Sequence, residues 1–461
     1  MRKTLLPFVT LCLFITSCQK DDVQPSIMGI LENQDDISAH EKANSNDGYK
    51  IISFSIKQPV DHNNPDGEKF IQTGTLLHRD YNLPVLFMPS GYGNSQIRNY
   101  DLTQYSFENS KRQGKPNILA VDHRYYGNEG KDYQTLDPQF LNIEQAAKDL
   151  HRIVEIFKEA YKNKWISMGY SKGGRTCIYH KYFFPDDIDA TLSFVAPITM
   201  TNKDTRFESF VQQISTPEEY DKMLAFQRLL LEKREAIGEL IEKWYAFYEL
   251  TLDRDVDRVI EGIALGYPFS YWQYRSYWHG GETSILNAPT ADSDVTEIFD
   301  FLSRTYFLDN YSTINDTKYE PYYYQARTQL GYPIYAEYDK LSDLLIYYKS
   351  PSDNPYTFNG QAIQDVINWL DNEGNNIIHI YGSKDPWTAA MYQSKSGTDA
   401  ITIMENGGDH RIDLNSLVDR KVILNKLEKW TGYTLTVDEF RLKGAETKSS
   451  ISESERAVIS R

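Results

Sequence analysis

The sequence predicts a chain of the α/β class: a parallel sheet covered by helices on both faces and interrupted by a mostly helical insertion. Three observations point there. Short, wholly apolar runs alternate with amphipathic helical stretches in the first half, the alternation lapses over residues 203–350, and it resumes beyond residue 351. Strand–helix repetition of this kind implies parallel pairing through helical crossovers.

Taken in order, residues 50–58 and 69–78 read as an opening pair of strands. The turn-rich stretch 61–67 separates them and carries Asn64-Pro65-Asp66-Gly67. Residues 84–88 and 117–121 are short apolar runs that suit buried parallel strands. Residues 143–161 place Ala146, Leu150, Ile153, Val154, Phe157 and Tyr161 on one helical face, with Asn142 as a cap. A strand at 164–168, a helix at 172–183 and a strand at 191–195 continue the pattern. In the insertion, 218–250 reads as a long helical stretch, followed by the aromatic run 267–274. Strands return at 377–381 and 400–404, and a helix near 414–430 closes the domain.

Both ends of the chain read differently. Arg2 and Lys3, a mainly apolar stretch 4–15 and small residues before Cys18 form the pattern of a bacterial lipoprotein signal, with Cys18 as the acylated first mature residue. Gln19-Lys20-Asp21-Asp22 resembles the surface-export signal of some lipoproteins, so an outer-membrane location is expected. Residues 19–48 are polar and are expected to be a flexible tether, and 444–461 a flexible tail. The expected organisation is therefore signal 1–17, anchor and tether 18–48, core 49–202, cap 203–350, second core segment 351–443 and tail.

A formal net charge of −16 argues against nucleic acid as a partner, because phosphate binding draws on clustered Lys and Arg. Three cysteines without zinc-like spacing suggest neither a disulfide framework nor a thiolate metal site. No phosphate-binding loop is visible, so no cofactor is expected.

The chemistry centres on Gly169-Tyr170-Ser171-Lys172-Gly173, a GxSxG string placed where a strand ends and a helix begins. That context is the nucleophile elbow of the α/β-hydrolase fold, in which a strained turn lifts the serine above the sheet. A serine hydroxyl needs a base, and the base needs a carboxylate to orient it. In this fold the order is serine, acid, histidine, each on a loop after a strand. Asp385 follows 377–381 and His410 follows 400–404, so Ser171, Asp385 and His410 are the candidate triad. His40, His151, His180 and His379 lie in the tether, in helices or in a strand, and His123 precedes the serine. Asp399, Asp409 and Asp413 are less well placed than Asp385. Backbone N–H groups of Lys172 and of Tyr92, in the loop 89–94, are the candidate oxyanion donors.

These residues resemble a known family, the secreted prolyl tripeptidyl aminopeptidases, relatives of lysosomal Pro-Xaa carboxypeptidase and dipeptidyl peptidase II. The similar segments are Gln58-Pro59-Val60-Asp61-His62, Leu76-Leu77-His78-Arg79, Ser90-Gly91-Tyr92-Gly93, Asp122-His123-Arg124-Tyr125-Tyr126-Gly127, Gly169-Tyr170-Ser171-Lys172-Gly173-Gly174 and Asp409-His410. The resemblance implies peptide substrates and release of short peptides, typically tripeptides ending in proline, from a free N-terminus. Such specificity needs an apolar slot for a proline ring and a carboxylate for the substrate ammonium. Tyr271, Trp272 and Tyr274 are candidates for the slot, or else ordinary core of the cap, and Glu249, Asp253, Glu261 and Glu282 are candidates for the carboxylate. An esterase or lipase on the same scaffold, or a surface binding lipoprotein without catalysis, are the competing readings.

Overall fold

The computed structural model describes residues 26–42, 48–93, 105–111, 113–207, 209–278, 283–334, 338–349 and 355–437. In chain order the strands are β1 (Ile37–Lys42), β2 (Lys50–Pro59), β3 (Lys69–His78), β4 (Val85–Pro89), β5 (Tyr105–Glu108), β6 (Gln113–Gly114), β7 (Asn117–Val121), β8 (Trp165–Tyr170), β9 (Ala190–Phe194), β10 (Ile377–Gly382), β11 (Ile401–Glu405) and β12 (Thr434–Val437). The helices used below are α1 (Ile27–Glu32), α2 (Ile143–Lys158), α3 (Lys172–Phe183), α4 (Phe210–Ile214), α5 (Pro217–Glu232), α6 (Arg234–Phe247), α7 (Val256–Gln273), α8 (Val295–Thr305), α9 (Thr313–Gln325), α10 (Tyr338–Leu341), α11 (Gly360–Asn372) and α12 (Arg420–Thr431).

Nine strands form one sheet in the order β1-β2-β3-β7-β4-β8-β9-β10-β11. β1, β2 and β3 pair antiparallel, β3 pairs antiparallel with β7, and the neighbours from β7 to β11 are parallel. The parallel strands β4, β7, β8, β9 and β10 are buried along their whole length, which is why their sequences are apolar runs rather than alternations. This is the α/β-hydrolase fold. A second, small sheet, β12-β5-β6, packs Phe107 and Leu435 into the core beside Leu86 and Met88 of β4.

Caps in the sequence set several helix starts. Asn142 accepts the Gln145 N–H at 3.0 Å to open α2, and Thr216 and Glu219 form a reciprocal capping box around Pro217 at the start of α5. The stretch expected as one long helix over 218–250 is two. Lys233, at φ −100° and ψ 19°, leaves the helical conformation between α5 and α6 with neither Gly nor Pro to announce it. The bend allows both helices to lay apolar residues, among them Phe226, Leu230, Ile237 and Ile241, against Ile260, Ile263 and Tyr267 of α7 in one cluster. Helices α4 to α10 all fall between β9 and β10, and no helix among the described residues is long and apolar enough to cross a membrane.

The flexible tether expected over 18–48 does not hold for residues 26–42. Ile27, Ile30 and Leu31 of α1 are buried in the cluster that contains Ile52, Phe54 and Ile56 of β2, and β1 pairs with β2 from Ile37 to Lys42. Neither element carries its own signal. A helix this short gains its stability from docking, and an edge strand with four exposed polar positions is held by backbone hydrogen bonds rather than by a pattern of apolar residues. The closing helix begins at Arg420 rather than near residue 414. The signal segment, Cys18 and the tail 444–461 lie outside the described residues.

Candidate active site

Ser171 follows β8 and precedes the first residue of α3, with φ 54° and ψ −123°. A non-glycine residue in the left-handed region at this junction is a strained turn. Small neighbours make it possible: a Cβ on Gly169 would come within 2.7 Å of the Gly174 nitrogen. The Ser171 N–H is fixed by the Phe194 carbonyl of the adjacent strand at 2.8 Å.

Two strands further along the sheet, Asp385 follows β10, and His410 follows β11. His410 Nδ1 and Asp385 Oδ2 are 2.7 Å apart, and Asp385 Oδ1 accepts the Trp387 N–H at 3.1 Å. Asp385 is fully buried. Burial pushes its carboxyl above the usual carboxylate range, while the imidazole beside it pulls the other way. The rival carboxylates are spent elsewhere. Asp399 pairs with Lys426 and Lys429 and accepts the Trp430 indole N–H, and Asp413 accepts the N–H groups of Asn415 and Ser416. Asp409 accepts the Ser276 N–H at 2.5 Å and the Arg411 N–H at 2.9 Å, and His410 N–H donates to the Gln273 carbonyl at 3.1 Å. The cap is thereby pinned to the histidine loop through the end of α7.

The loop after β4 corrects one expectation. The Tyr92 N–H, expected as an oxyanion donor, donates instead to Ser90 Oγ at 3.0 Å, and the Ser90 hydroxyl donates to the Gly93 carbonyl at 3.1 Å. A turn closed by its own serine uses that N–H internally. Gly91 is the residue that lies against the elbow, since a Cβ there would come within 2.6 Å of the Gly173 nitrogen and 2.7 Å of Lys172 Cβ. The Lys172 N–H is the first of α3, among the groups a helix leaves without an internal partner. The Lys172 side chain, to which the sequence reading gave no role, is buried. Its ammonium donates to the Gly91 carbonyl at 2.5 Å and sits 5.5 Å and 5.0 Å from the ring centres of Tyr92 and Tyr126.

A buried network supports this loop from behind. Arg124 gives its guanidinium to Asp149 (2.7 and 3.1 Å) and to the carbonyls of Pro59, Val60 and Phe140, and His62 Nε2 reaches the same Asp149 at 2.7 Å. The neighbouring His123 N–H holds the Tyr92 carbonyl at 2.9 Å. The segments 58–62 and 122–127 thus meet in one place as scaffold rather than as reacting groups.

The substrate-pocket candidates separate. Tyr271 and Trp272 are buried in the core of the cap, where the Tyr271 hydroxyl donates toward the Thr283 carbonyl and the Trp272 indole N–H donates to Ser215 Oγ. They are packing residues, because α7 turns that face inward. Tyr274, one turn later, is half-buried, and its ring stands edge-on to His410 with centres 6.4 Å apart. Trp387 is also near His410, with ring centres 6.3 Å apart, and packs with Phe207 at 5.7 Å and Phe269 at 5.1 Å. The sequence reading missed Trp387, although its position two residues after Asp385 marks it. Among the carboxylate candidates, Glu261 is buried and committed to Arg234 and to the N–H groups of Ile346, Tyr347 and Tyr348. Glu249 and Asp253 are exposed, the latter beside Arg254, and Glu282 lies outside the described residues.

Comparison with known proteins identifies the family. The family described as PS-10 peptidase S37 matches residues 29–438. A prolyl tri/tetrapeptidyl aminopeptidase of Streptomyces mobaraensis is 30% identical over 400 residues, 84% of this chain and 81% of the relative. Among solved structures, the peroxisomal α/β-hydrolase Lpx1 of Saccharomyces cerevisiae is similar with a TM-score of 0.40 and 12% identity, covering 89% of this chain and 95% of that one. A proline iminopeptidase of Mycobacterium smegmatis gives a TM-score of 0.36 at 12% identity, covering 82% and 98%. By the match along nearly its whole length, the chain belongs to the PS-10 peptidase S37 family and is a serine peptidase.

Proposed function

We propose that the protein is an exported exopeptidase that removes short peptides, chiefly tripeptides ending in proline, from the N-terminus of peptide substrates. Ser171 Oγ attacks the acyl carbon of the proline as His410 takes its proton. The tetrahedral oxyanion then collapses, the amine leaves with the proton from His410, and water hydrolyses the acyl-enzyme by the same steps. Asp385 orients His410 through Nδ1 and leaves Nε2 for the proton transfers. The observation that carries the reading is the 2.7 Å contact between His410 and buried Asp385, on the same sheet edge as the strained Ser171. The Lys172 N–H serves the oxyanion, and the ring of the proline lies between Tyr274 and Trp387. The curated relative's name supports tri- and tetrapeptide release.

Ser171→Ala is expected to abolish turnover of Xaa-Xaa-Pro anilides while the thermal midpoint is kept; retained turnover would remove Ser171 from the mechanism. Faster cleavage of short acyl esters than of prolyl anilides by the unaltered protein would favour an esterase instead. The N-terminal pattern supports a lipid on Cys18 and residence at the outer membrane. Palmitate labelling in cells should therefore disappear in Cys18→Ala, and labelling that persists would rule this anchor out.

A further inference from the structure

Behind the nucleophile elbow, the first turn of α3 faces the start of α2 and the end of α9 across a small cavity. Its polar lining comes from His123, Lys172, Arg175, Thr176, Tyr179 and Gln325, and the space open to the centre of a water-sized sphere is about 10 Å³, enough for one small occupant. Two of these side chains are cations taken almost wholly out of water: Lys172 is 1% exposed and Arg175 2%.

Among the described residues no Asp or Glu pairs with either one. The ionisable groups around Arg175 are Lys172 and the tyrosines Tyr92, Tyr126, Tyr179, Tyr322 and Tyr381, and the hydroxyls of Tyr179 and Tyr322 come within hydrogen-bonding reach of its guanidinium without supplying a negative charge. Lys172 at least has the Gly91 carbonyl, and burial together with Arg175 pulls its ammonium well below the usual lysine range. Arg175 has no such way out, because a guanidinium stays protonated in a protein. One of its nitrogens donates to the Leu330 carbonyl at 3.3 Å, but Nε, fully buried, has no hydrogen-bond partner, and neither has Oε1 of Gln325. His123 adds no further positive charge: burial and the nearby Lys172 hold its imidazole neutral. A buried cation without an opposite charge is costly, and a mobile ion is the remaining means of pairing it.

We propose that a single monovalent anion, chloride under ordinary conditions, occupies this cavity against Arg175 Nε and balances the positive charge behind Ser171. Rotation of the Gln325 amide presents its NH₂ group to the ion in place of the carbonyl. The ion ties α3, which carries Ser171, to α9 of the cap, and the Lys172 strap carries its influence to Gly91. This inference does not depend on which bond the enzyme cuts, so its test needs no substrate.

Crystals of the whole chain grown in sodium bromide are expected to show an anomalous bromine peak within contact distance of Arg175 Nε. In solution, the thermal midpoint should rise by about 5 °C, with saturation, in sodium bromide relative to sodium gluconate at equal ionic strength. Arg175→Met should lose that difference between the salts. Should Arg175→Met fail to fold, the two measurements on the unaltered chain decide alone. A cavity holding water only, without an anomalous peak, or equal midpoints in the two salts, overturns the proposal.

Discussion

Asp385 has both carboxylate oxygens committed, one to the Trp387 N–H and the other to His410. Replacing it with Asn keeps the shape but can turn an NH₂ group toward the imidazole, which then adopts the tautomer that cannot accept the serine proton. Asp385→Asn is therefore expected to lower kcat by about a thousandfold or more, with KM and the thermal midpoint little changed. Steady-state kinetics beside a melting curve would check it; equal losses in both would mean that the residue only holds the fold. Chain order alone was enough to select Asp385 and His410, since each loop after a strand is visible as a break in an apolar run. It was not enough for Tyr271 and Trp272. Which face of α7 meets the histidine loop depends on how α5 and α6 pack against it, and a run of aromatic residues reads alike in a core and in a pocket.

At the level of elements, the cap is held together by a buried knot. Glu261 in α7 reaches Arg234 at the start of α6 and three successive N–H groups at 346–348. Burial pushes its carboxyl up, but those N–H donors and the Arg234 guanidinium outweigh it, and the net position is below the ordinary value of 4.5. The stabilisation is thus fully present above the unfolded value and is lost as pH falls through the folded one. Glu261→Gln leaves the Arg234 charge inside without a partner and is expected to cost about 3 kcal/mol at neutral pH. Urea unfolding should show the gap between the two proteins narrowing on acidification below about pH 4.5, and a gap independent of pH would contradict this account. No sequence pattern joins 261 to 346, just as none announced the bend at Lys233. Both arise from contacts far apart along the chain.

Across the whole molecule, the sheet brings one penalty into its centre. His379 lies in β10 with both ring nitrogens buried and without hydrogen-bond partners, and burial drives its imidazole from 6.5 down to about 3. Above pH 6.5 the ring is neutral in both states, so its burial cost does not change with pH. Between 6.5 and about 3 the unfolded chain takes up a proton that the folded one refuses, so stability falls through that window and levels off below it. His379→Phe keeps a ring beside Tyr392, 5.0 Å away, and is expected to flatten this part of the stability profile. Denaturant midpoints measured across the window would test it; an unchanged acid slope would show that another group is responsible.

The amino-acid sequence by itself determined the parallel core, the turn at Ser171 and the placing of Asp385 and His410 on loops after successive strands. Apolar runs, caps and a GxSxG turn are local features with local causes. Only the tertiary structure decided that residues 26–42 add a helix and an edge strand, that the Tyr92 N–H is spent on Ser90, that Tyr274 and Trp387 rather than Tyr271 and Trp272 lie near the histidine, and that Arg175 is buried without a carboxylate partner among the described residues. Each of these depends on which surfaces meet. Burial energy and charge pairing are properties of contacts between distant segments, and a single segment read alone carries no record of its neighbours.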